Sequence, residues 1–597
     1  MNPLHNTSLR FPLFAGFFGC GFCSLLPIVL ALTLPATIPS ATLFAAEIPA
    51  TTIPVSNIPK PKSQRPNILL LVADDMGFSD AGCYGGEITT PNLDNLAKNG
   101  LRFTQFYNTA RCWSTRTALM TGYYPQQVRS DPIVKGSRLP KGVKVIPHYL
   151  KQLGYRCYHS GKWHVPGAPL PCADGGFDQS YELLDHNRNF NPQQHRRNDQ
   201  PLPPIQPNSG FYTTSFIAQE TINQLKEHAT QTPDTPFFAF TAFTAPHFPL
   251  HAPQEVIALY RERYNIGWET IRRQRFQRLT DMGIIHCPLS PPEREVGPPY
   301  SQNNLAPLGT GEIFKPLAWN DLTKEQQNFQ ATKMAIHAAM VEIIDREIGN
   351  ILDQLRSMKA IENTLIFFLS DNGCSAEIMI RGDGHDPEAK LGSAETFLCL
   401  GPGWSTASNT PFRRHKVWTL EGGISTPLIV SWMRDQPQPL QQSPQSQPSQ
   451  LSQSSNRPAN TNLSVNGLRH DFGHVVDLLP TILDAAGYDH DQRNNEFAPL
   501  PGESLFPAIT GSVDAEPRKR APIYFSHEGN RAVRDHQFKL VSTAKNRQGD
   551  GVWRLYDMRS DRSEQQDLSQ QFPEKVEELR QIWQQFNEQF QQNSKRE

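Results

Sequence analysis

Four stretches decide the fold. NILLLVA at residues 67–73 runs into Asp74-Asp75, and YRCY at 155–158 leads to Ser160-Gly161-Lys162-Trp163-His164. PFFAFTAF at 236–243 is followed by Ala245-Pro246-His247, and TLIFFL at 364–369 by Ser370-Asp371-Asn372-Gly373. Each is short and most are apolar on both faces, the pattern of parallel strands buried on both sides. Helical patterns lie between them at 92–99, 144–153, 216–228 and 334–357, the last with Met340, Ile343, Ile344 and Ile348 at helical spacing. Strand alternating with helix predicts an α/β fold, a large mainly parallel sheet sandwiched by helices. Ligands in such sheets sit beyond the carboxyl ends of the strands, so the four polar tips are expected to meet at one site.

Around this core the chain divides. After Arg10 no charged residue occurs before Glu47, and residues 11–34 are an apolar run followed by small residues. This reads as an export signal ending near residue 46, an uncleaved membrane anchor being the alternative. The catalytic domain is expected over 66–490, interrupted at 436–462 by a flexible Gln/Ser/Pro loop too polar to order itself. From 499 to 597 the pattern changes to short strands at 522–525, 538–542 and 553–557 and a terminal helix, a small α+β subdomain. With 57 Lys and Arg against 58 Asp and Glu the net charge is −1, which argues against a nucleic-acid partner. Beyond the leader seven cysteines remain, an odd number without CxxC spacing, so at least one lies outside any internal disulfide.

Asp74, Asp75, Asp371 and Asn372 supply oxygen donors from two tips. An all-oxygen set selects a hard cation, Ca²⁺ or less readily Mg²⁺, over zinc. Residues 111–122 read RCWSTRTALMTG. Ser114 and Thr115 are expected to cap a short helix reaching about Met120, which puts Cys112 just ahead of a helix N-terminus that favours an anion, with Arg116 one turn on.

Cys112-x-x-x-Arg116 followed by Leu119-x-Thr121-Gly122 and Tyr124-Pro125 resembles the signature of the type I, formylglycine-dependent sulfatases of the alkaline phosphatase superfamily. Further similarity lies in Arg65-Pro66-Asn67 to Asp75, Gly161 to His164, Ala245 to His247, Ser370 to Gly373, Asn409 to Phe412, Lys416 and Glu421 to Gly423. Residues 264–278, Met340 to Asp345 and Gly401 to Trp404 look most like the bacterial arylsulfatase branch. One position departs: Ser114 stands where the family has proline.

The resemblance implies an alkaline-phosphatase-like fold and hydrolysis of aryl or carbohydrate sulfate monoesters, small or glycan. It implies a Ca²⁺ held by Asp74, Asp75, Cys112, Asp371 and Asn372, and conversion of Cys112 to 3-oxoalanine (formylglycine) by a formylglycine-generating or sulfatase-maturating enzyme. Asp371 is then the base that activates the formylglycine hydroxyl, His247 the proton donor to the leaving oxygen and His164 the base of the second step. Lys162, Lys416 and Arg116 face the sulfate oxygens. Trp113, Trp404, residues 261–329 and the C-terminal subdomain are expected on the leaving-group side, with His251 and His337 structural. Removal of Cys112 leaves six cysteines, room for up to three disulfides. A single N-x-S/T site beyond the leader, at Asn462, fits a bacterial periplasmic or extracellular location. Two alternatives stay open: a phosphate or phosphonate monoester hydrolase, and a sulfated-glycan binder with unconverted Cys112.

Overall fold

The computed structural model describes residues 65–133, 136–301, 303–433, 467–489, 497–511 and 519–596. The expected leader (1–46), the loop at 436–462 and Asn462 lie outside the described residues. Among these no helix is long and apolar enough to cross a membrane.

The main sheet contains ten strands: β1 (Asn67–Asp74), β2 (Leu101–Tyr107), β3 (Arg156–Gly161), β4 (Gln179–Leu183), β5 (His195–Arg197), β6 (Gln200–Pro201), β7 (Phe237–Pro246), β8 (Thr364–Ser370), β9 (Ser425–Trp432) and β10 (Leu468–His474). Their order is β10-β2-β9-β8-β1-β7-β3-β4-β5-β6. The four stretches read from the sequence are the contiguous parallel block β8-β1-β7-β3. β9 runs antiparallel to both of its neighbours, and β5 and β6 turn back at one edge. Side chains of the block divide between two cores. Leu69, Leu71, Ala239, Phe243, Ile366 and Phe368 face one; Ile68, Leu70, Val72, Phe238, Phe240 and Phe367 face the other. Burial on both faces is why these segments lack alternation.

The register sets the site. Ala73 pairs with Ser370, Val72 with Ala242, and Gly161 also with Ala242, so the four tips end level. Between Val72 and Asp74 the β1–β7 register shifts, Asp74 pairing with Pro246, and this bulge carries His247 past the tip of β1. Gly161 has φ 109°, and a Cβ there would stand 1.9 Å from the Ala242 carbonyl oxygen, which accepts from the Lys162 amide at 2.8 Å. Only glycine fits this turn.

The helix Lys324–Ser357 begins ten residues before the expected 334, because Thr323 and Gln326 form a capping box ahead of polar first turns. Its Asp345 accepts from the amides of Leu93 (2.8 Å) and Asn92 (3.1 Å), fixing the start of the helix Pro91–Lys98. From the same helix His337 meets Asp80 at 3.0 Å, and Asp80 also accepts from Arg275 (2.6 Å) and the Gly77 amide (2.8 Å). This buried cluster holds the loop that leaves Asp74-Asp75. His337 is structural, as is His251, whose Nε2 lies 2.6 Å from the Thr396 carbonyl oxygen.

A second sheet of four antiparallel strands, β11 (Ile523–His527), β12 (Asn530–Arg534), β13 (Phe538–Ser542) and β14 (Trp553–Asp557), precedes the helix Pro573–Ser594. β12 was not expected: its sequence, NRAVR, buries Ala532 and Val533 between two arginines. The sheet joins Tyr107, Trp418 and Ile424 in one apolar cluster. Below it, buried Lys539 bridges Glu421 (3.0 Å) and Glu564 (2.8 Å). Among the described residues the seven cysteines are all free thiols, so none of the possible disulfides is formed there.

Gly161→Ala is expected to cost about 3 kcal/mol or more, read as a fall in the thermal unfolding midpoint. Burial favours the neutral Asp80 carboxyl, but His337 and Arg275 outweigh it and lower the group from 3.8 to about 2. Its contribution to stability is therefore present above pH 3.8 and is lost as pH falls through about 2. Asp80→Asn should flatten that acid limb of the unfolding profile.

Candidate active site

Cys112 is the first residue of the helix Cys112–Thr121 rather than the residue before it. Arg111, extended at φ −149°, takes the cap position without a side-chain cap bond. Ser114 and Thr115, expected as caps, lie inside the first turn. Ser114 Oγ donates to the Arg111 carbonyl oxygen at 3.0 Å and pairs with Thr109 Oγ1 at 2.8 Å, while Thr115 Oγ1 accepts from the Thr109 amide. The third helical position needs no amide partner, so a proline is tolerated there and serine replaces it by tying down the preceding loop. Cys112 is 3% exposed. Burial raises its thiol pKa, against the pull of Lys162 and Lys416.

Two backbone turns aim the tips. Asp75 (φ 67°) and His164 (φ 48°) are both left-handed, a conformation sparsely used by such residues and typical of strained sites. Four buried carboxylates then meet four cations in pairs. Lys162 Nζ lies 2.5 Å from Asp74 Oδ2, Lys416 Nζ 2.7 Å from Asp75 Oδ1, Arg116 Nε 2.8 Å from Asp371 Oδ2, and Arg111 3.1 Å from Glu377 Oε1. The Asn372 amide donates to Asp75 Oδ1 at 2.5 Å, and the Asp75 amide to Asp371 Oδ1 at 3.3 Å. His247 Nε2 stands 3.7 Å from Asp75 Oδ2, its Nδ1 2.6 Å from the Phe248 carbonyl oxygen.

The electrostatics are unbalanced in one place. Burial disfavours the Asp74 carboxylate, but Lys162, His247 and Arg116 hold its pKa well below the usual range. Asp371 goes the other way: burial, and then Asp74, push it up to about 7 despite Arg116. Asp74 Oδ1 and Asn372 Oδ1 are buried without a hydrogen bond. Bare oxygens among crowded carboxylates fit a hard cation. Asp74, Asp75 and His247 also have ligand atoms within 4.8 Å of one another. The oxygen donors expected from the sequence are thus assembled.

Above the tips opens a cavity of about 490 Å³. Cys112, Lys162, His164 and His247 line it, as expected. Lys416 and Arg116 do not. Lys416 is buried between Asp75 and Glu377, and Arg116 is engaged by Asp371, the Lys162 carbonyl oxygen at 2.8 Å and the Phe243 carbonyl oxygen at 3.5 Å. Arg116 therefore holds Asp371 and the β3 turn instead of facing a ligand. Burial, with Lys162, keeps His164 and His186 well below the ordinary imidazole value, and burial with Lys416 lowers His247 to about 4. All three are neutral near pH 7.

Trp113 is on the cavity wall, but Trp404 is in the core, donating to the Gln330 carbonyl oxygen at 2.7 Å. Residues 261–329 and the C-terminal sheet do not line the cavity. They approach from behind, Tyr300 against Arg111 at 5.5 Å and His527 against Trp113 at 5.7 Å. Arg275, from within that stretch, instead supports Asp80. Other parts of the wall come from segments the sequence reading missed: Asp185, His186, Asn187 and Arg188 just after β4, and Arg381. Asp185 to Arg188 follow a strand tip like the others, but QSYEL in β4 is too polar to stand out as a buried strand.

A sequence model of the sulfatase family matches residues 66–488. An uncharacterized sulfatase of Schizosaccharomyces pombe is 30% identical over 568 residues, 87% of this chain and 93% of its own. An arylsulfatase of Klebsiella aerogenes is 32% identical over 406 residues, 62% of this chain and 81% of that one. Among solved structures, BT4656, in complex with its substrate D-glucosamine-2-N,6-O-disulfate, has a similar fold with TM-score 0.56 and 19% identity, covering 89% of this chain and 99% of that one.

A hard cation such as Ca²⁺, if held by these oxygens, would add about 2.7 kcal/mol of stability at a hundredfold excess over Kd, read as a rise in the unfolding midpoint. Asn372→Ala should weaken binding at least about tenfold, followed by calorimetry, because it removes one bare oxygen.

Proposed function

The chain belongs to the sulfatase family, whose members are sulfuric ester hydrolases, and from that premise we propose that it is an exported enzyme cleaving aryl or carbohydrate sulfate monoesters with Cys112 matured to formylglycine. The observation that carries this reading is the meeting of Asp74, Asp75, Asp371 and Asn372 beneath a cavity lined by Cys112, Lys162, His164 and His247. Export rests on the leader at 1–46.

Asp74, Asp75, Asp371 and Asn372 would hold the Ca²⁺, with position 112 completing the set. When present, the cation and the hydrated aldehyde at 112 supply an activated hydroxyl nucleophile and charge stabilisation at the sulfate. The remaining work belongs to this chain's own side chains. Lys162, on the cavity wall, is suited to a sulfate oxygen, while Lys416 and Arg116 hold the Asp75 and Asp371 carboxyl groups in place. His247 is neutral in the free protein, and an anion arriving beside it offsets the push of Lys416. Such an anion would favour the protonated imidazole, the form that can pass a proton to the leaving oxygen, against the burial and Lys416 that lower it in the free protein. His164, kept neutral by burial and Lys162 on the cavity wall that Cys112 also lines, is suited to accept a proton when sulfate departs. With Cys112 only 3% exposed at the floor of its cavity, a second enzyme would reach it more readily before the chain folds.

The test is twofold. Mass spectrometry of the peptide carrying residue 112 should find the aldehyde in place of the thiol. The matured, Ca²⁺-loaded protein should hydrolyse nitrophenyl sulfate faster than nitrophenyl phosphate, and Cys112→Ala should lower kcat/KM for the sulfate by roughly 10³-fold or more. A preference for the phosphate, or full activity in Cys112→Ala, would overturn the proposal.

A further inference from the structure

The cavity wall carries four long cations, and three are engaged: Arg111 by Glu377, Lys162 by Asp74, and Arg188 by Asp185 and Asp383. The fourth, Arg381, is exposed and among the described residues has no carboxylate partner. Its guanidinium carbon lies 5.8 Å from the centre of the Phe248 ring. Lys416 Nζ is also 5.8 Å from that centre, and the His247 ring centre lies 4.0 Å from it, the two rings tilted by 34°. Arg381 thus stands one aromatic ring away from the histidine assigned to the leaving oxygen.

The segment that bears it is held in place. Two residues on, Asp383 accepts from Arg188 Nε and Nη2, both at 2.6 Å, while Arg188 Nη1 donates to Asp185 at 2.7 Å. The Gly384 amide donates to the Arg381 carbonyl oxygen at 3.2 Å, closing a turn, and His385 Nδ1 accepts from the Phe397 amide at 3.0 Å. Two loops from different parts of the chain therefore meet across the mouth, one of them presenting an unengaged guanidinium. Around the same space Trp113 Nε1, His164 Nδ1 and His186 Nδ1 are buried without a hydrogen-bond partner. Such a wall suits a hydroxyl- and oxyanion-rich ligand better than a bare phenyl ring.

Resting on the function proposed above, we infer that Arg381 reads a second oxyanion on the leaving-group side, so that the substrate is a saccharide bearing a sulfate or carboxylate besides the ester that is cleaved. A guanidinium with all five donors unengaged takes either group in a two-pronged hydrogen-bonded pair. A simple aryl sulfate leaves that position empty.

Calorimetric binding to the Ca²⁺-loaded full chain tests this apart from turnover. The probes form two pairs: D-glucosamine-2-N,6-O-disulfate against D-glucosamine-6-O-sulfate, and a sulfated disaccharide containing a hexuronate against its carboxyl-reduced counterpart. In at least one pair the ligand with the second oxyanion should bind about tenfold more tightly or better. Arg381→Ala should bring that ratio close to one, and Arg381→Lys should restore part of it. A ratio near one in both pairs, absence of binding, or a ratio unchanged by Arg381→Ala would overturn the inference. Loss of nitrophenyl sulfate hydrolysis with the binding ratio intact would count against the proposed reaction and leave Arg381 as an anion-reading residue.

Discussion

Like charges crowded out of water are the constraint on which this molecule is built. Asp74, Asp75 and Asp371 are buried at neighbouring strand ends, and Glu377 in the loop that follows one of them, where an uncompensated carboxylate is strongly destabilising. Each has acquired its own cation, and these cations come from four separate places: the turn after β3, the helix at Cys112, the residue before it, and the loop ahead of β9. Compensation is incomplete, since two oxygens remain bare and burial together with Asp74 pushes Asp371 above the usual carboxylate range. What looks like a defect in a purely structural account is the opening a divalent ion would fill.

Holding those charges in place is a backbone task. The level ends of β8, β1, β7 and β3 come from register, the displacement of His247 from a bulge, and the turn at Lys162 from a glycine pressed against the Ala242 carbonyl. Outside this layer the Asp80–Arg275–His337 cluster secures the loop after Asp75. Residues without any contact to a ligand thus decide where the ligand-facing atoms stand.

The four central strands were legible because burial on both faces leaves a continuous apolar run, and the site was legible because its polar residues directly follow those runs. The helix boundary at Cys112 was misread: Ser114 and Thr115 have the chemistry of caps but bond backward from inside the first turn. β12 and β4 stayed hidden because arginines, or alternating polar residues, mask their short buried segments. With β4 went the loop at 185–188, and with it part of the cavity wall. Arg116 shows a different limit. Spacing placed it near Cys112, but only coordinates reveal that its donors are already taken.

The bridge between Arg188 and Asp383 has a further consequence. The strand tips are fixed by sheet hydrogen bonds and by charges sealed from solvent, whereas the rim is joined through a carboxylate whose side chain is 71% exposed. Mobile ions screen such a contact and leave the sealed ones nearly untouched. In brine the aperture should therefore soften while the chemistry beneath it keeps its shape, so that ionic strength acts on which molecules enter more than on what happens to them inside.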